Sequence, residues 1–314
     1  SAWGQWSYAR RLKKWLRAQR LQIDIALSHS ADEITGSIVT TLRRLGIPLI
    51  LLGHRHHNQT QQPAKHERAD AIVVAFDDEI APAQQAGYLP KQIHCIGPGV
   101  DVLQGQEPIN RAAARVALGK ALGDHTLGTY SPLAVCFGRM EKSAGLETLI
   151  DAWRQIVARW PDARLWIFGE GTKRGALIEL IEAYGLASRV LLPGVVESID
   201  ELLAAANLMV CVDAEDGDLH ALLSAMAAGL PVVSSDSLVH RRVLENNQHG
   251  LLFPAQDEQQ CARCIARFLE QPTLADILGR NARRRIREAF SRTQRVEGFQ
   301  HVIQLLLSNR RTGP

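Results

Sequence analysis

The run Leu208-Met209-Val210-Cys211-Val212, the segment His220–Ala228 and the run Pro231-Val232-Val233-Ser234 decide the fold. The first and last are short, apolar and β-branched, as expected of strands buried on both faces. The segment between them reads as a helix. Strand, helix and strand in that order make one parallel unit, and its ligand edge lies beyond the carboxyl ends of the strands. A helix that starts near His220 points its first amides toward that edge, where phosphate or sugar oxygens are favoured.

The same alternation runs outward in both directions. Upstream in the second half, strands are expected at Leu133–Phe137, Arg164–Phe168 and Val190–Leu192, and helices at Gly145–Arg159, Lys173–Tyr184 and Ser198–Ala206. Downstream come a short strand Gly250–Phe253 and helices Glu258–Glu270, Thr273–Phe290 (broken) and Thr293–Leu307. In the first half, strands at Ile23–Leu27, Pro48–Leu52, Ala71–Val74 and Ile93–Ile96 alternate with helices Tyr8–Arg20, Ser37–Leu45 and Ile80–Ala86. The looser stretch between the halves holds one helix, Asn110–Leu122. The expected class is α/β, with two Rossmann-like lobes facing across a cleft. The expected domains are residues 1–108, a linker 109–127, a second lobe 128–290 and a crossover helix 291–314.

Bulk properties exclude several functions. The 314 residues carry a formal net charge of +3 and are 22% charged, so the chain as a whole is no general polyanion binder and no nucleic-acid partner is expected. No run approaches the roughly 20 apolar residues of a membrane span. Five cysteines, an odd number without scaffold spacing, fit a reducing, cytoplasmic compartment. Cys261 and Cys264 form a CxxC inside an expected helix with no second pair nearby, so they read as helix cysteines and not as metal ligands.

Six short motifs then occur in a characteristic order: Ile96-Gly97-Pro98-Gly99-Val100-Asp101, Phe137-Gly138-Arg139-Met140, Phe168-Gly169-Glu170-Gly171, Val190-Leu191-Leu192-Pro193-Gly194, Asp216-Gly217 leading into Leu223–Val233, and Gly250-Leu251-Leu252-Phe253-Pro254. Together they resemble the GT-B-fold retaining glycosyltransferases of family 4, also called group 1, over residues 20–305. The resemblance implies transfer of a hexosyl group from a nucleoside-diphosphate sugar of UDP or GDP type, with retention. The acceptor would be lipid-linked or a polysaccharide, and neither metal nor cofactor is required. It implies donor contacts at Gly138, Arg139, Lys142, Gly169, Val196, Asp216, Gly217, Asp218, Leu219, His220 and Ser224, with His54 and Asp216 as the catalytic pair. Chemistry agrees at several of these. Glycines after strands let a ligand approach the backbone, and Arg139 offers a planar fork to a diphosphate.

The departures from the family pattern are as informative. Ala144 stands where the family has a lysine. Asp216 and Ser224 replace two glutamates, and a hydroxyl cannot supply both carboxylate oxygens. Ser237-Leu238-Val239-His240-Arg241-Arg242 replaces a loop with a Gly-Gly pair and an acid, so a bulky loop is expected there. The family's opening strand with its Gly-rich loop is not visible, so a reduced or truncated first lobe is expected. These replacements keep a second function open, a binding or regulatory module of the same fold. A nicotinamide enzyme is disfavoured because the third glycine position after Gly169-Glu170-Gly171 is Arg174. His29, His54, His56 and His57 follow strands and are candidates for a polar contact. The basic helix Tyr8–Arg20 and the run Arg283–Arg287 read either as solvated faces or as contacts with an anionic membrane surface.

Overall fold

The computed structural model describes residues 11, 14–15, 23–29, 36–53, 68–102, 111–124, 127–141, 145–196, 199–212 and 219–311. These form two compact units, residues 1–99 with 292–314 and residues 100–291.

The first unit holds four parallel strands in the order β1 (Ala26–Ser28), β2 (Leu49–Gly53), β3 (Ala71–Val74) and β4 (Ile93–Cys95). The central strands β2 and β3 bury both faces, which explains their lack of polar alternation, whereas Leu27 of β1 and Cys95 of β4 are exposed. Leu49, Leu51, Ile72 and Val74 pack with Ile38, Val39 and Leu42 of helix α1 (Gly36–Arg44). Ile50, Leu52, Ala71 and Val73 point the other way, onto Phe299, Val302, Ile303 and Leu306. Those four belong to the last helix, which therefore roofs the first sheet. A further short helix, α2 (Ile80–Gln85), lies between β3 and β4.

The second unit holds six parallel strands in the order β10-β9-β8-β5-β6-β7. Their ranges are β5 Leu133–Phe137, β6 Arg164–Phe168, β7 Val190–Gly194, β8 Leu208–Cys211, β9 Val232–Ser235 and β10 Leu251–Phe253. The helices are α3 (Arg111–Leu122), α4 (Leu146–Arg159), α5 (Arg174–Ala183), α6 (Asp200–Ala205), α7 (Leu219–Ala228), α8 (Leu238–Val243), α9 (Glu258–Glu270) and α10 (Pro272–Ala289). Helix α11 (Arg292–Arg311) returns to the first unit. The core of the second unit is larger. Trp153, Ile150 and Leu149 of α4 meet Cys261, Ile265 and Phe268 of α9 and the inward residues of β5, β6 and β8.

The structure departs from the sequence expectation in several places, the first being β1, expected over Ile23–Leu27 and found at Ala26–Ser28. Residues 273–290 were expected to break, yet α10 is continuous from Pro272 to Ala289; its buried face of Ala275, Leu278, Ala282 and Ile286 keeps helical spacing throughout. Residues 237–242 were expected as a loop, yet α8 forms there, because Ser237 accepts a bond from the His240 amide at its start. Residues 109–127 were expected as a linker, yet 111–124 lie in the second unit. Arg115 accounts for that. Its buried guanidinium donates to Ala205 O at 2.8 Å, to Thr129 O at 2.5 Å and to Asn207 Oδ1, stapling α3 to the α6–β8 corner. Burial holds its pKa down, at about 10.

Val100 lies where the chain first enters the second unit and Ser291 where it leaves, and the two pair as a bridge. Val100 N donates to Phe290 O at 3.0 Å. The glycine of the preceding motif is needed on the first-unit side. A Cβ on Gly99 would sit 2.8 Å from Arg295 Cβ and 3.0 Å from Arg292 Cα of α11. Among the described residues no helix is long and apolar enough to cross a membrane.

Candidate functional site

The six-stranded order reverses at one point. From β5 the chain proceeds outward to β6 and β7, then returns to β8 on the other side of β5. At such a reversal the loops leaving the two strands diverge, and a crevice opens beyond their carboxyl ends. The loop after β5 carries Gly138 and Arg139. The loop after β8 leads through 213–218 into α7. The resemblance placed most of its donor contacts on these two loops.

The loops after β5, β6 and β7 are laced together by backbone bonds that continue beyond the strands. Gly138 N donates to Phe168 O at 3.1 Å, Gly169 N to Gly194 O at 2.9 Å, and Met140 N to Glu170 O at 2.9 Å. Two glycines are required here. Gly169 has φ 140°, and a Cβ on it would lie 1.9 Å from Gly138 O. Gly145, at φ 65°, begins α4, and a Cβ there would lie 2.5 Å from Val212 O at the end of β8. Gly145 therefore draws the start of α4 against the β8 edge of the crevice. By contrast, a Cβ on Gly138 would meet nothing within 4 Å.

Side chains fix the loops further. Glu141 accepts from Thr172 Oγ1 at 2.7 Å, tying the β5 loop to the β6 loop. The Thr172 hydroxyl and amide, with the Arg139 charge as a smaller contribution, hold the Glu141 carboxyl below the usual carboxylate range. Arg174 donates to Leu192 O at 3.0 Å and faces Glu170 at 3.9 Å, so the end of β7 is braced as well. Arg139 is exposed, and among the described residues its guanidinium makes no hydrogen bond. Met140, next to it, is fully buried and anchors the loop.

Beyond β9 a buried polar cluster replaces the expected glycine loop. His240, 1% exposed, shares its Nδ1 with Ser234 Oγ at 2.7 Å and Ser235 O at 3.0 Å. Leu238 of the same helix is 80% exposed. The histidine is thus the anchor of α8, and the large apolar side chain expected to fill the loop turns to solvent. Asp236 pairs with Arg241, and hydrogen bonds from that arginine hold its carboxyl low.

The remaining sequence candidates fall as follows. Leu219 and Val196 are half-buried, His220 is exposed at the first turn of α7, and Ser224 is half-buried on the same helix. Gly138, Arg139, Gly169 and Val196 follow adjacent strands β5, β6 and β7, and Leu219 and His220 open the helix after β8. His54, Lys142, Asp216, Gly217 and Asp218 lie outside the described residues, as do Ala144, His56, His57 and most of Tyr8–Arg20. His29 is described and exposed just after β1. Arg285, in the basic run 283–287, donates to Val243 O at 2.8 Å and so braces α8. Cys261 is buried in α9, and burial pushes its thiol pKa up. Among the described residues no group of three His, Cys, Asp or Glu is placed to hold a metal ion. Sequence reasoning missed the brace of Glu141 and Thr172, which are distant in sequence, and the role of Gly145, whose only signal is a glycine directly before an amphipathic run.

Comparisons with known proteins cover the second unit and, in several cases, most of the chain. The profile of the group 1 glycosyl transferases matches residues 123–285. The lipopolysaccharide core biosynthesis glycosyltransferase LpsE of Rhizobium meliloti is 28% identical over 178 residues, covering 57% of this chain and 50% of LpsE. The lipopolysaccharide core biosynthesis mannosyltransferase LpcC of Rhizobium leguminosarum is 24% identical over 285 residues, covering 88% of this chain and 76% of LpcC. The chain thus spans about half the length of LpsE and about three quarters of LpcC. A Rickettsia africae glycosyltransferase structure superposes with a TM-score of 0.81 at 14% identity, covering 98% of this chain and 83% of that one. HepE of Anabaena, in complex with UDP and glucose, superposes with a TM-score of 0.72 at 18% identity, over 96% of this chain and 80% of its own. The two parallel-sheet units are those of the GT-B fold. With a profile that spans more than half of the chain and includes the glycine-laced switch point, the chain belongs to the group 1 glycosyl transferases.

Proposed function

We propose that the chain is a glycosyltransferase that binds a nucleoside-diphosphate sugar of UDP or GDP type at the β5/β8 switch point and transfers its hexosyl group with retention. The observation that carries this reading is the backbone cradle at that point: strand-end loops locked by mutual hydrogen bonds, lined by glycine, with an exposed arginine and a helix start beside them. Such a surface is preorganised for a diphosphate. HepE, which shares the fold, holds UDP in its structure. The relatives that act on lipopolysaccharide support an acceptor at or near a lipid-linked glycan.

In this reading the bond from the sugar's anomeric carbon to the diphosphate breaks with its electron pair on the phosphate oxygen. A new bond forms from the acceptor hydroxyl oxygen to the same carbon. Arg139 and the first amides of α7 stabilise the leaving diphosphate, with Lys142 as an added cation. Gly138 and Gly169 let the phosphates approach the backbone. Val196 lines the base side, Ser224 meets the ribose, and Asp216, Gly217 and Asp218 with Leu219 and His220 form the sugar-facing turn. His54 takes the acceptor proton. Replacing Arg139 with Ala should weaken UDP binding by about 1.5–3 kcal/mol, the worth of a charge-assisted bond. Calorimetry with UDP and GDP checks this, and an unchanged dissociation constant removes Arg139 from the site.

A second reading is favoured by Ser224. Its hydroxyl stands half-buried on α7 where the family has a carboxylate. A binding module of the same fold would hold the nucleotide without turnover. Product formation from UDP- or GDP-sugars, against binding alone, separates the two.

A further inference from the structure

The first unit contains a second recess, far from the carboxyl ends of its strands. It has a volume of about 900 Å³ and opens where the chain enters the sheet, at Pro48 before β2 and Asp70 before β3. In parallel sheets of this kind the expected ligand edge is the opposite one. This recess therefore belongs neither to the switch-point site of the second unit nor to the carboxyl edge of the first.

Its walls have two characters. Among the residues that line it, Arg43, Arg68 and Lys91 are cationic and Asp70 is the carboxylate, which accepts from the Leu49 amide at 2.9 Å. The two arginines are held in place. Arg43 donates to Arg68 O at 3.1 Å, and Arg68 donates to Gly87 O. Lys91 is exposed on the turn before β4. Leu89, Leu305 and Leu306 provide an apolar wall on the other side, and Leu89 is 53% exposed. His94 of β4 also lines the recess. Its Nε2 is enclosed and has no hydrogen-bond partner among the described residues. Pockets of this size with mixed lining and a few placed polar groups suit a small molecule.

We infer that this recess is a binding site for a phosphorylated ligand with an apolar portion. The cations take the phosphate and the leucine wall takes the rest. The source of the phosphate is either a soluble metabolite or a lipid headgroup, and the chemistry is shared.

The test uses hydrogen exchange read by mass spectrometry on the full chain in an Arg139→Ala background, which removes the proposed diphosphate contact of the second unit. Phenyl phosphate should slow exchange in residues 43–48 and 87–94, with saturation, and should bind more tightly than inorganic phosphate. Lys91→Glu should weaken binding of both at least tenfold. Leu89→Ser should weaken phenyl phosphate and leave inorganic phosphate unchanged. No saturable protection in those segments, indifference to Lys91→Glu, or equal affinity for the two probes would each overturn the inference. Sedimentation with phosphatidylglycerol–phosphatidylcholine vesicles then assigns the source. Binding abolished by Lys91→Glu puts the phosphate on a lipid, and no sedimentation beside intact phenyl phosphate protection puts it on a soluble ligand.

Discussion

The two sheets are built from the same unit and differ in strand order. The first runs β1-β2-β3-β4, each strand added beside the last. The second runs β10-β9-β8-β5-β6-β7 and reverses beside β5. Both bury apolar central strands on both faces, so their interiors look alike. Their carboxyl edges do not. Among the described strands only the second sheet has a switch point, and on its β5–β6–β7 side the loops are laced by backbone bonds that Gly169 makes possible. The lesson is that strand order decides where a crevice forms, and local residues then decide what it accepts.

The largest test of this contrast is Gly169→Ala. The added methyl would collide with Gly138 O, 1.9 Å from its position, at a φ of 140° that alanine avoids. We expect a loss of more than about 2 kcal/mol of stability, from strain and a broken lace together. Amide exchange should accelerate in β5–β7 while β2 and β3 keep their protection. Gly138→Ala sharpens the point. Its methyl meets nothing within 4 Å, so stability should hold while UDP affinity falls. If Gly138→Ala binds UDP like the parent, the cradle does not face the nucleotide.

An intermediate effect is expected from Arg115→Ala. It removes charge-assisted bonds to Ala205 O, Thr129 O and Asn207 and leaves the buried Ala205 carbonyl without that donor. A loss of about 3 kcal/mol follows, measured by denaturant unfolding. The loss should appear in the second unit, because α3 is docked there. Loosening confined to the first unit would show instead that residues 111–122 act as a connector.

The smallest effect belongs to Asp236 and Arg241. The pair lowers the Asp236 pKa below its ordinary 3.8, so its contribution is present above that value and is lost as pH falls through the folded-state pKa. Arg241 is well exposed to solvent, which keeps the contribution of the pair small. Asp236→Asn should flatten the stability profile slightly below pH 4. A larger change would mean that the pair also orders α8.

Much of the framework was legible because buried strands and amphipathic helices carry it. Leu133–Phe137, Arg164–Phe168, Ala71–Val74 and Glu258–Glu270 stand in the structure with the limits that the residue pattern implies. Helix α8 was not legible. It is six residues long, its first residue Leu238 faces solvent, and its anchor is a buried histidine bonded to serines that precede it. No periodicity survives in so short a segment. Strand order was equally hidden, since pairing of β5 with β8 leaves no mark on either run. At the candidate site, glycine after a strand was a readable sign, but only the backbone tells Gly169, which cannot change, from Gly138, which can. The basic recess of the first unit draws on residues from Arg43 to Asn309, so no local stretch announced it.

Helix α11 has a consequence for synthesis. The strands of the first sheet leave the ribosome early, yet among the described residues Ile50, Leu52, Ala71 and Val73 gain Phe299, Val302 and Leu306 on one face only when the last helix emerges. The second unit is continuous in the chain and has its whole core available sooner. The part made first therefore finishes last, waiting with an oily face exposed. During that wait it is the nascent sheet β1–β4, and not the larger second unit, that would call on a chaperone.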